Sequence, residues 1–239
     1  MARDYCIVIL AFNEESSIES ALQGVFSNAR GRDFEILLAT DGSTDGTLEK
    51  ARELTKKFPR TRIIHSKRRL WRGGAIENAF RNTRAKIVAF LDADSSVDMS
   101  CLNKLLEEAE RNDFVIGSRY AAGARAQRTF HRLLASLAYN ALIRALFGTG
   151  VLDHQCGFKA FKRARIMEVA ELTDSKHWFW DSEVIIRARS KGYTIKEVPV
   201  DWCEARNARE SKLQFFRDSA GLFLSAARMR LQAWREGIA

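Results

Sequence analysis

Five apolar runs of strand length, at 6–11, 34–39, 62–65, 87–91 and 114–116, alternate along the first half of the chain with segments of helical period at 15–27, 46–57, 74–83 and 100–110. Near-continuous apolar runs belong to strands buried on both faces, and the amphipathic segments between them supply the covering helices. The pattern therefore predicts βαβ units, right-handed crossovers and a mostly parallel sheet of the α/β class. Turn chemistry agrees. Thr44-Asp45-Gly46-Thr47 ends one loop and can cap the next helix, and Ser100 stands ahead of Leu102, Leu105 and Leu106 as an N-cap should.

Beyond Arg119 the pattern changes. A basic, Gly/Ala-rich loop at 121–128 leads into a long amphipathic stretch at 131–147. A turn at 148–153, a strand at 157–161, a helix over 181–191, an alternating strand at 193–202 and a terminal helix at 213–234 follow. No internal repeat and no linker-like composition divides the chain, so 1–239 reads as one domain with two halves, 1–119 and 120–239.

Composition narrows the classes. The 46% hydrophobic and 29% charged content of these 239 residues excludes a disordered or fibrous chain. Lys and Arg number 39 against 30 Asp and Glu, a net charge of +9, which favours a polyanionic partner: nucleic acid, an anionic membrane face or a phosphorylated substrate. Cys6, Cys101, Cys156 and Cys203 lie far apart with no zinc-like spacing, as expected of reduced thiols in a reducing compartment. Residues 1–4 run straight into a strand with no small-residue cleavage site, so no signal peptide is expected. The most apolar stretch, 133–152, is broken by Ser136, Asn140 and Arg144, which argues against a spanning helix but leaves room for a peripheral membrane contact.

In an open α/β sheet, ligands bind beyond the carboxyl ends of the strands. The first strand here runs into Phe12-Asn13-Glu14-Glu15, the second into Thr40-Asp41-Gly42-Ser43, the fourth into Asp92-Ala93-Asp94-Ser95-Ser96 and the fifth into Gly117-Ser118-Arg119. Carboxylates from three strands meeting at one edge repel unless a cation or a hydroxyl-rich ligand lies between them. Asp92 and Asp94, one residue apart, suit Mg²⁺ or Mn²⁺ shared with a diphosphate, with Ser96 a further oxygen nearby. The alternative is a turn in which one Asp caps the helix near Ser100. The loop 66–74, SKRRLWRGG, places four basic residues including Arg72 before a helix expected to open at Gly74, which makes it an anion site or simply a solvated basic loop. With a single aromatic, Trp71, it offers a poor stacking platform for nucleic acid, and no nucleic-acid partner is expected.

In this order, Phe12-Asn13-Glu14-Glu15, 41–47 (DGSTDGT), Gly73-Gly74-Ala75, Asp92-Ala93-Asp94 and Gly117-Ser118-Arg119 resemble the family 2 glycosyltransferases of the GT-A fold, with a Rossmann-like central sheet. The second half resembles the polyprenyl-phosphate sugar transferases through 153–161 (DHQCGFKAF), 178–183 (WFWDSE), 197–202 (EVPVDW) and Ser211-Lys212-Leu213. The Cys-Gly-Phe-Lys string and the Val-Asp-Trp ending look more like dolichyl-phosphate glucosyltransferases than mannosyl ones. The chain departs from the pattern in having Leu10 for Pro and Phe12 for Tyr, Thr40 for Asp, and Trp71 where Gly is usual.

The resemblance implies a nucleotide-sugar donor, Mg²⁺ or Mn²⁺, and a polyprenyl or dolichyl phosphate acceptor. It further implies a donor half at 1–119 and an acceptor and membrane-interface half at 120–239. Asn13, Glu14 and Asp41 would line the nucleoside pocket, Asp92 would sit by ribose and metal, and Asp94 would be the main metal ligand. Arg119 would face the phosphates, Arg132 and Ser136 would hold the acceptor phosphate, and Arg206 and Lys212 would belong to a closing loop. Arg72 and Lys159 join the expected substrate contacts. UDP-glucose is the first expected donor and GDP-mannose the second. A hydroxyl acceptor would instead require a carboxylate base, for which Asp153 or Asp181 is the candidate, and a silent binding subunit would be free to lose Asp92 and Asp94. The basic amphipathic segments 131–147 and 213–234 suit either an anionic bilayer surface, on the cytosolic side, or packing on one another.

Overall fold

The computed structural model describes residues 3–29, 31–203 and 212–235, without the side chains of 212–219 and 232–235. Strands Tyr5–Ala11 (β1), Phe34–Asp41 (β2), Thr61–Ser66 (β3) and Ile87–Asp92 (β4) lie parallel in the order β3-β2-β1-β4. Helices Ile18–Asn28 (α1), Thr47–Lys57 (α2) and Trp71–Arg81 (α3) make the crossovers, and Leu102–Arg111 (α4) leads to Phe114–Ser118 (β5). Then come Arg125–Gln127 (β6), Phe130–Phe147 (α5), Phe158–Lys162 (β7), Arg163–Ala170 (α6) and Trp180–Ser190 (α7). Ile195–Pro199 (β8), Asp201–Cys203 (β9) and Lys212–Arg235 (α8) complete the order.

Strand alternation builds the layers. Ile7 and Ile9 on β1, Ile36 and Leu38 on β2, and Ala89 and Leu91 on β4 pack beneath α1, α2 and α4. Their neighbours Cys6, Val8, Leu37, Val88 and Phe90 face α3, α6 and α7. Both faces are covered, which is why the runs are continuously apolar.

The sheet differs from a purely parallel one at β7, which pairs antiparallel with both β4 and β5. Its register sets Lys159 opposite Phe90, so a lysine occupies a position that the layer buries completely. The alternating segment 193–202 is two strands. The pairing of β8 with β5 ends at Ser118 and Pro199, with the Val200 N–H on the Ser118 carbonyl at 3.2 Å, and β9 joins β6 in a separate ribbon. Helix α6 was not legible in the sequence, because eight residues are too few for a periodicity. At α4, Asp98 accepts the Ser100 N–H at 2.8 Å and opens a short 3-10 turn at Met99–Cys101, so the capping carboxylate is neither Asp92 nor Asp94.

Helix α5 buries Tyr139, Asn140 and Ile143 and packs on α8, with the Tyr139 and Phe223 rings 5.7 Å apart. Its opposite stripe of Phe130, Leu134 and Leu137 is exposed, Phe130 at 78%. Among the described residues no helix is long and apolar enough to cross a membrane.

Candidate active site

The chain steps from β1 to β2 and β3 on one side and returns to β4 on the other, so the sheet order reverses between β1 and β4. That crevice is the expected ligand position in such a sheet. A cavity of about 660 Å³ opens there, walled by Phe12 and Glu14 after β1, Asp41 at the end of β2, and Asp92 and Asp94 at the end of β4. Arg69, Trp71 and Arg72 close one side, with His177 and Trp178 from the segment before α7.

At the β2 end of the cavity, Asp41 accepts the Leu70 N–H at 2.6 Å, and burial pushes its carboxyl above the usual range. Burial raises the Glu14 carboxyl too. Asn13 lies just outside the cavity wall. With φ of 57° its side-chain Oδ1 accepts the Thr44 N–H at 2.8 Å, tying the β1 loop to the β2 loop. The Arg69 guanidinium stacks on Phe12 at 3.1 Å and reaches Trp71 at 5.2 Å, and Trp71 lies 4.2 Å from the His177 ring. Trp71 itself has φ of 63°, the left-handed region in which a glycine is at ease and a bulky residue is strained.

The helix expected to open at Gly74 opens at Trp71 instead. Two N–H groups at this terminus have internal partners, Leu70 on Asp41 and Gly73 on the Lys176 carbonyl at 2.8 Å, and are not offered to an anion. Gly73 and Gly157 allow close approach. A Cβ at Gly73 would meet the Trp180 ring at 2.4 Å, and one at Gly157 would meet Asp92 Oδ2 at 2.0 Å and Arg72 Nη2 at 3.0 Å.

Asp94 is oriented by the Ser96 N–H, which donates to its Oδ1 at 3.0 Å, while the Ser96 residue is buried behind it. Asp92 is hydrogen-bonded to Arg72 Nη1. Among the described residues no three carboxylates, imidazoles or thiolates gather to form a closed metal cage. Two adjacent carboxylates on an open cavity fit a hard divalent cation that keeps most of its shell for phosphate and water.

Behind Asp92 lies a buried ionic chain. Arg72 Nε donates to Asp181 Oδ2 at 2.6 Å, and the other oxygen of Asp181 accepts Lys159 Nζ, which also donates to the Cys156 carbonyl at 2.6 Å. Desolvation opposes ionisation of Asp181, but Arg72 and Lys159 outweigh it and hold its carboxyl below the usual range. Lys159 has no exposed surface. The expected substrate contact of Lys159 is therefore replaced by an internal ion pair, because β7 turns that side chain inward onto α7.

A second group assembles around β5. Arg119 Nε and Nη2 each meet an Asp153 oxygen at 2.7 Å, and its backbone N–H donates to Asp153 at 3.0 Å. Glu197 positions Asp153 by accepting the N–H groups of Leu152 and Asp153 at 2.9 and 3.0 Å. Tyr120 donates its hydroxyl to Ser136 on α5 at 2.8 Å and accepts Arg128 Nη1 at 2.8 Å. Trp202 stands 5.0 Å from the Arg119 guanidinium, and its strand is tied to the loop after Asp94 through the Cys203 N–H on the Ser96 carbonyl at 2.9 Å. Arg132 lies one turn before Ser136 on the same helix. Arg206 and the side chain of Lys212 lie outside the described residues.

The sequence profile of the family described as glycosyl transferase family 2 matches residues 6–169. The chain belongs to that family. Family 2 membership also accounts for the sheet. Glucosyl-3-phosphoglycerate synthase from Mycobacterium tuberculosis, solved with Mn²⁺, uridine diphosphate and glucosyl-3-phosphoglycerate, superposes with a TM-score of 0.73 at 20% identity, over 95% of this chain and 80% of that one. The Rossmann-like GT-A architecture is thus shared. Glycosyltransferase AglD of Haloferax volcanii is 35% identical over 90% of this chain, which spans only 35% of that relative's length. Dolichyl-phosphate beta-glucosyltransferase ALG5A of Trichomonas vaginalis is 28% identical over 96% of this chain and 75% of its own, and the Saccharomyces cerevisiae dolichyl-phosphate beta-glucosyltransferase 28% over 85% and 68%.

Several residues that build this site have no counterpart among the residues expected from the sequence. Glu77 is buried on α3 and holds the segment before α7 through Lys176 Nζ at 2.7 Å and Thr173 Oγ1 at 3.0 Å, and the first residue of α7 through Trp180 Nε1 at 2.9 Å. Its spacing from Gly73, Ile76 and Phe80 marked it as a carboxylate on a buried helical face, a signal that was present. Glu183 caps the same segment through the Asp174 and Ser175 N–H groups. Nothing local in the sequence pairs Arg119 with Asp153, 34 residues on.

Proposed function

We propose that this family 2 enzyme transfers glucose, with inversion, from UDP-glucose to a dolichyl or polyprenyl phosphate, with GDP-mannose the second-choice donor. The observation that carries the acceptor class is the state of Asp153 and Asp181. Both are fully buried, and cationic partners hold both below the usual carboxylate range in spite of desolvation. Neither is available to take a proton from a hydroxyl acceptor, whose attack needs a positioned base. A phosphate monoester has a second pKa of about 6 and is already anionic and nucleophilic at neutral pH. The similarity to the dolichyl-phosphate beta-glucosyltransferases supports the same acceptor and sugar.

The division of labour follows the two groups of side chains. Glu14 and Asp41 bind the nucleoside, while Asn13, expected there too, instead ties the β1 loop to the β2 loop beside the cavity. Asp92 and Asp94 hold Mg²⁺ or Mn²⁺, oriented by Ser96, and the bound cation supplies charge neutralisation for the leaving diphosphate. Arg132 and Ser136 receive the acceptor phosphate, Arg119, held in place by Asp153, faces the phosphates near the reaction centre, and Arg206 and Lys212 close over the site. What the residues must do is hold two polyanions in line, which is positioning and electrostatics rather than proton transfer. The stripe of Phe130, Leu134 and Leu137 then rests on the cytosolic face of an anionic membrane. The chain has no Asp or Glu between Asp113 and Asp153, which suits that surface.

The test is transfer of radiolabelled sugar from UDP-glucose and from GDP-mannose, in parallel, to dolichyl phosphate in detergent with Mg²⁺ or Mn²⁺. Label should enter the lipid phase from UDP-glucose and vanish with Asp94→Asn. Failure with both donors, alongside intact nucleotide binding, would favour a hydroxyl acceptor or a silent binding subunit.

A further inference from the structure

The ion-paired chain behind Asp92 is larger than a cation site requires. Four charged groups lie in series: Asp92, Arg72, Asp181 and Lys159. Their formal charges sum to zero, and the two members that do not line the cavity, Asp181 and Lys159, have side chains 1% and 0% exposed. Both cations sit over the Phe90 ring, Arg72 at 5.4 Å and Lys159 at 5.6 Å, so the setting is apolar as well as dry. Burying ions this deeply is unfavourable unless they are paired, and an apolar filling of the same space is often as stable. The charges therefore call for a role other than holding β7 to α7.

The connectivity supplies one. Arg72 is shared between two carboxylates: Nε serves Asp181, and Nη1 serves Asp92. Lys159 competes with Arg72 for Asp181, one oxygen each. Whatever strengthens the hold of Asp181 on Arg72 loosens the claim of Arg72 on Asp92, and the reverse. Gly157 leaves the space that Asp92 and Arg72 fill, since a Cβ there would overlap the Asp92 carboxylate.

We propose that Asp181 and Lys159 are positioning residues that set, through Arg72, how much of the Asp92 carboxylate is offered to a divalent cation. This rests on the assignment of Asp92 and Asp94 to cation binding made above. The two residues act in opposite directions. Without the Asp181 charge, Arg72 turns wholly to Asp92 and the pocket carries an excess positive charge, so the cation is held less well. Without the Lys159 charge, Asp181 draws Arg72 to itself, Asp92 is released and the cation is held more tightly. Removing both cancels the excess positive charge but leaves Arg72 turned to Asp92, so affinity recovers part of the way from the Asp181→Asn value toward the starting one. A network that served packing alone would give losses in both single variants and a larger loss in the double.

The experiment is a Mn²⁺ titration of the full chain in the presence of UDP, followed by the electron paramagnetic resonance signal of free Mn²⁺, for wild type, Asp181→Asn, Lys159→Met and the double variant. Partners of metal ligands typically change affinity about 10- to 100-fold when altered. We expect a weakening of that order for Asp181→Asn, a tightening for Lys159→Met and a return toward wild type in the double variant. If Asp181→Asn does not fold, the sign for Lys159→Met alone decides. Weaker Mn²⁺ binding by Lys159→Met, or a double variant worse than either single one, overturns the proposal. No Mn²⁺ binding by the folded wild type would overturn the cation assignment and this inference with it, a result distinct from bound Mn²⁺ with variants of the wrong sign.

Discussion

Replacing Gly157 by Ala tests whether the placement of Asp92 controls catalysis. The added Cβ would stand 2.0 Å from Asp92 Oδ2 and 3.0 Å from Arg72 Nη2. Carbon and oxygen do not approach much closer than about 3.3 Å even in weak C–H···O contacts, so the carboxylate must move by about 1.3 Å. Gly157 is not among the positive-φ glycines, so alanine meets no backbone penalty there. The atoms that must give way are side-chain ends, so folding should cost no more than about 1–3 kcal/mol, as for other overpacked positions. Function has less slack. A displacement of about 1 Å at reacting groups costs on the order of 100-fold in rate, or about 2.7 kcal/mol of transition-state stabilisation. Sugar transfer by Gly157→Ala should therefore fall on the order of 100-fold in kcat/KM, with cooperative thermal unfolding retained. Steady-state transfer assays beside melting curves would check this, and wild-type kcat/KM in a folded Gly157→Ala would refute the claim that Asp92 must stay where Gly157 lets it lie.

Asp153→Asn leaves the Arg119 guanidinium buried without its counter-ion, and should cost about 3–5 kcal/mol in urea unfolding; a loss of transfer with stability intact would instead mark Asp153 as a base. Trp71→Gly should exceed Trp71→Ala in stability by about 1 kcal/mol or more, because only glycine relieves the left-handed backbone while both lose the ring; equal melting temperatures would remove the strain. His154 is buried, and desolvation pushes its pKa down to about 3. The unfolded chain then binds a proton that the folded chain refuses between roughly pH 6.5 and 3, so stability is fully present above about pH 6.5 and falls by about 1.4 kcal/mol per unit below it. His154→Gln should flatten that acid limb by about one proton in denaturant titrations at stepped pH.

The sequence by itself determined a good deal. Continuous apolar runs at β1, β2 and β4 could only be strands covered on both faces, and the polar residues ending those strands had to share one edge. The pocket residues Glu14, Asp41, Asp92 and Asp94 were therefore legible from strand ends alone, because a parallel sheet brings every carboxyl end to the same side. Trp71, standing where glycine is usual, became intelligible only as a left-handed residue. Tertiary structure decided the pairings. The antiparallel insertion of β7 between β4 and β5 turns Lys159 inward, and α7 then brings Asp181 within reach of both Lys159 and Arg72. Arg119 met Asp153 in the same way. Such partners lie tens of residues apart, and local propensity carries no term for them. Only the register of the assembled sheet, and the need of each buried charge for a counter-charge, fixes which acid answers which base.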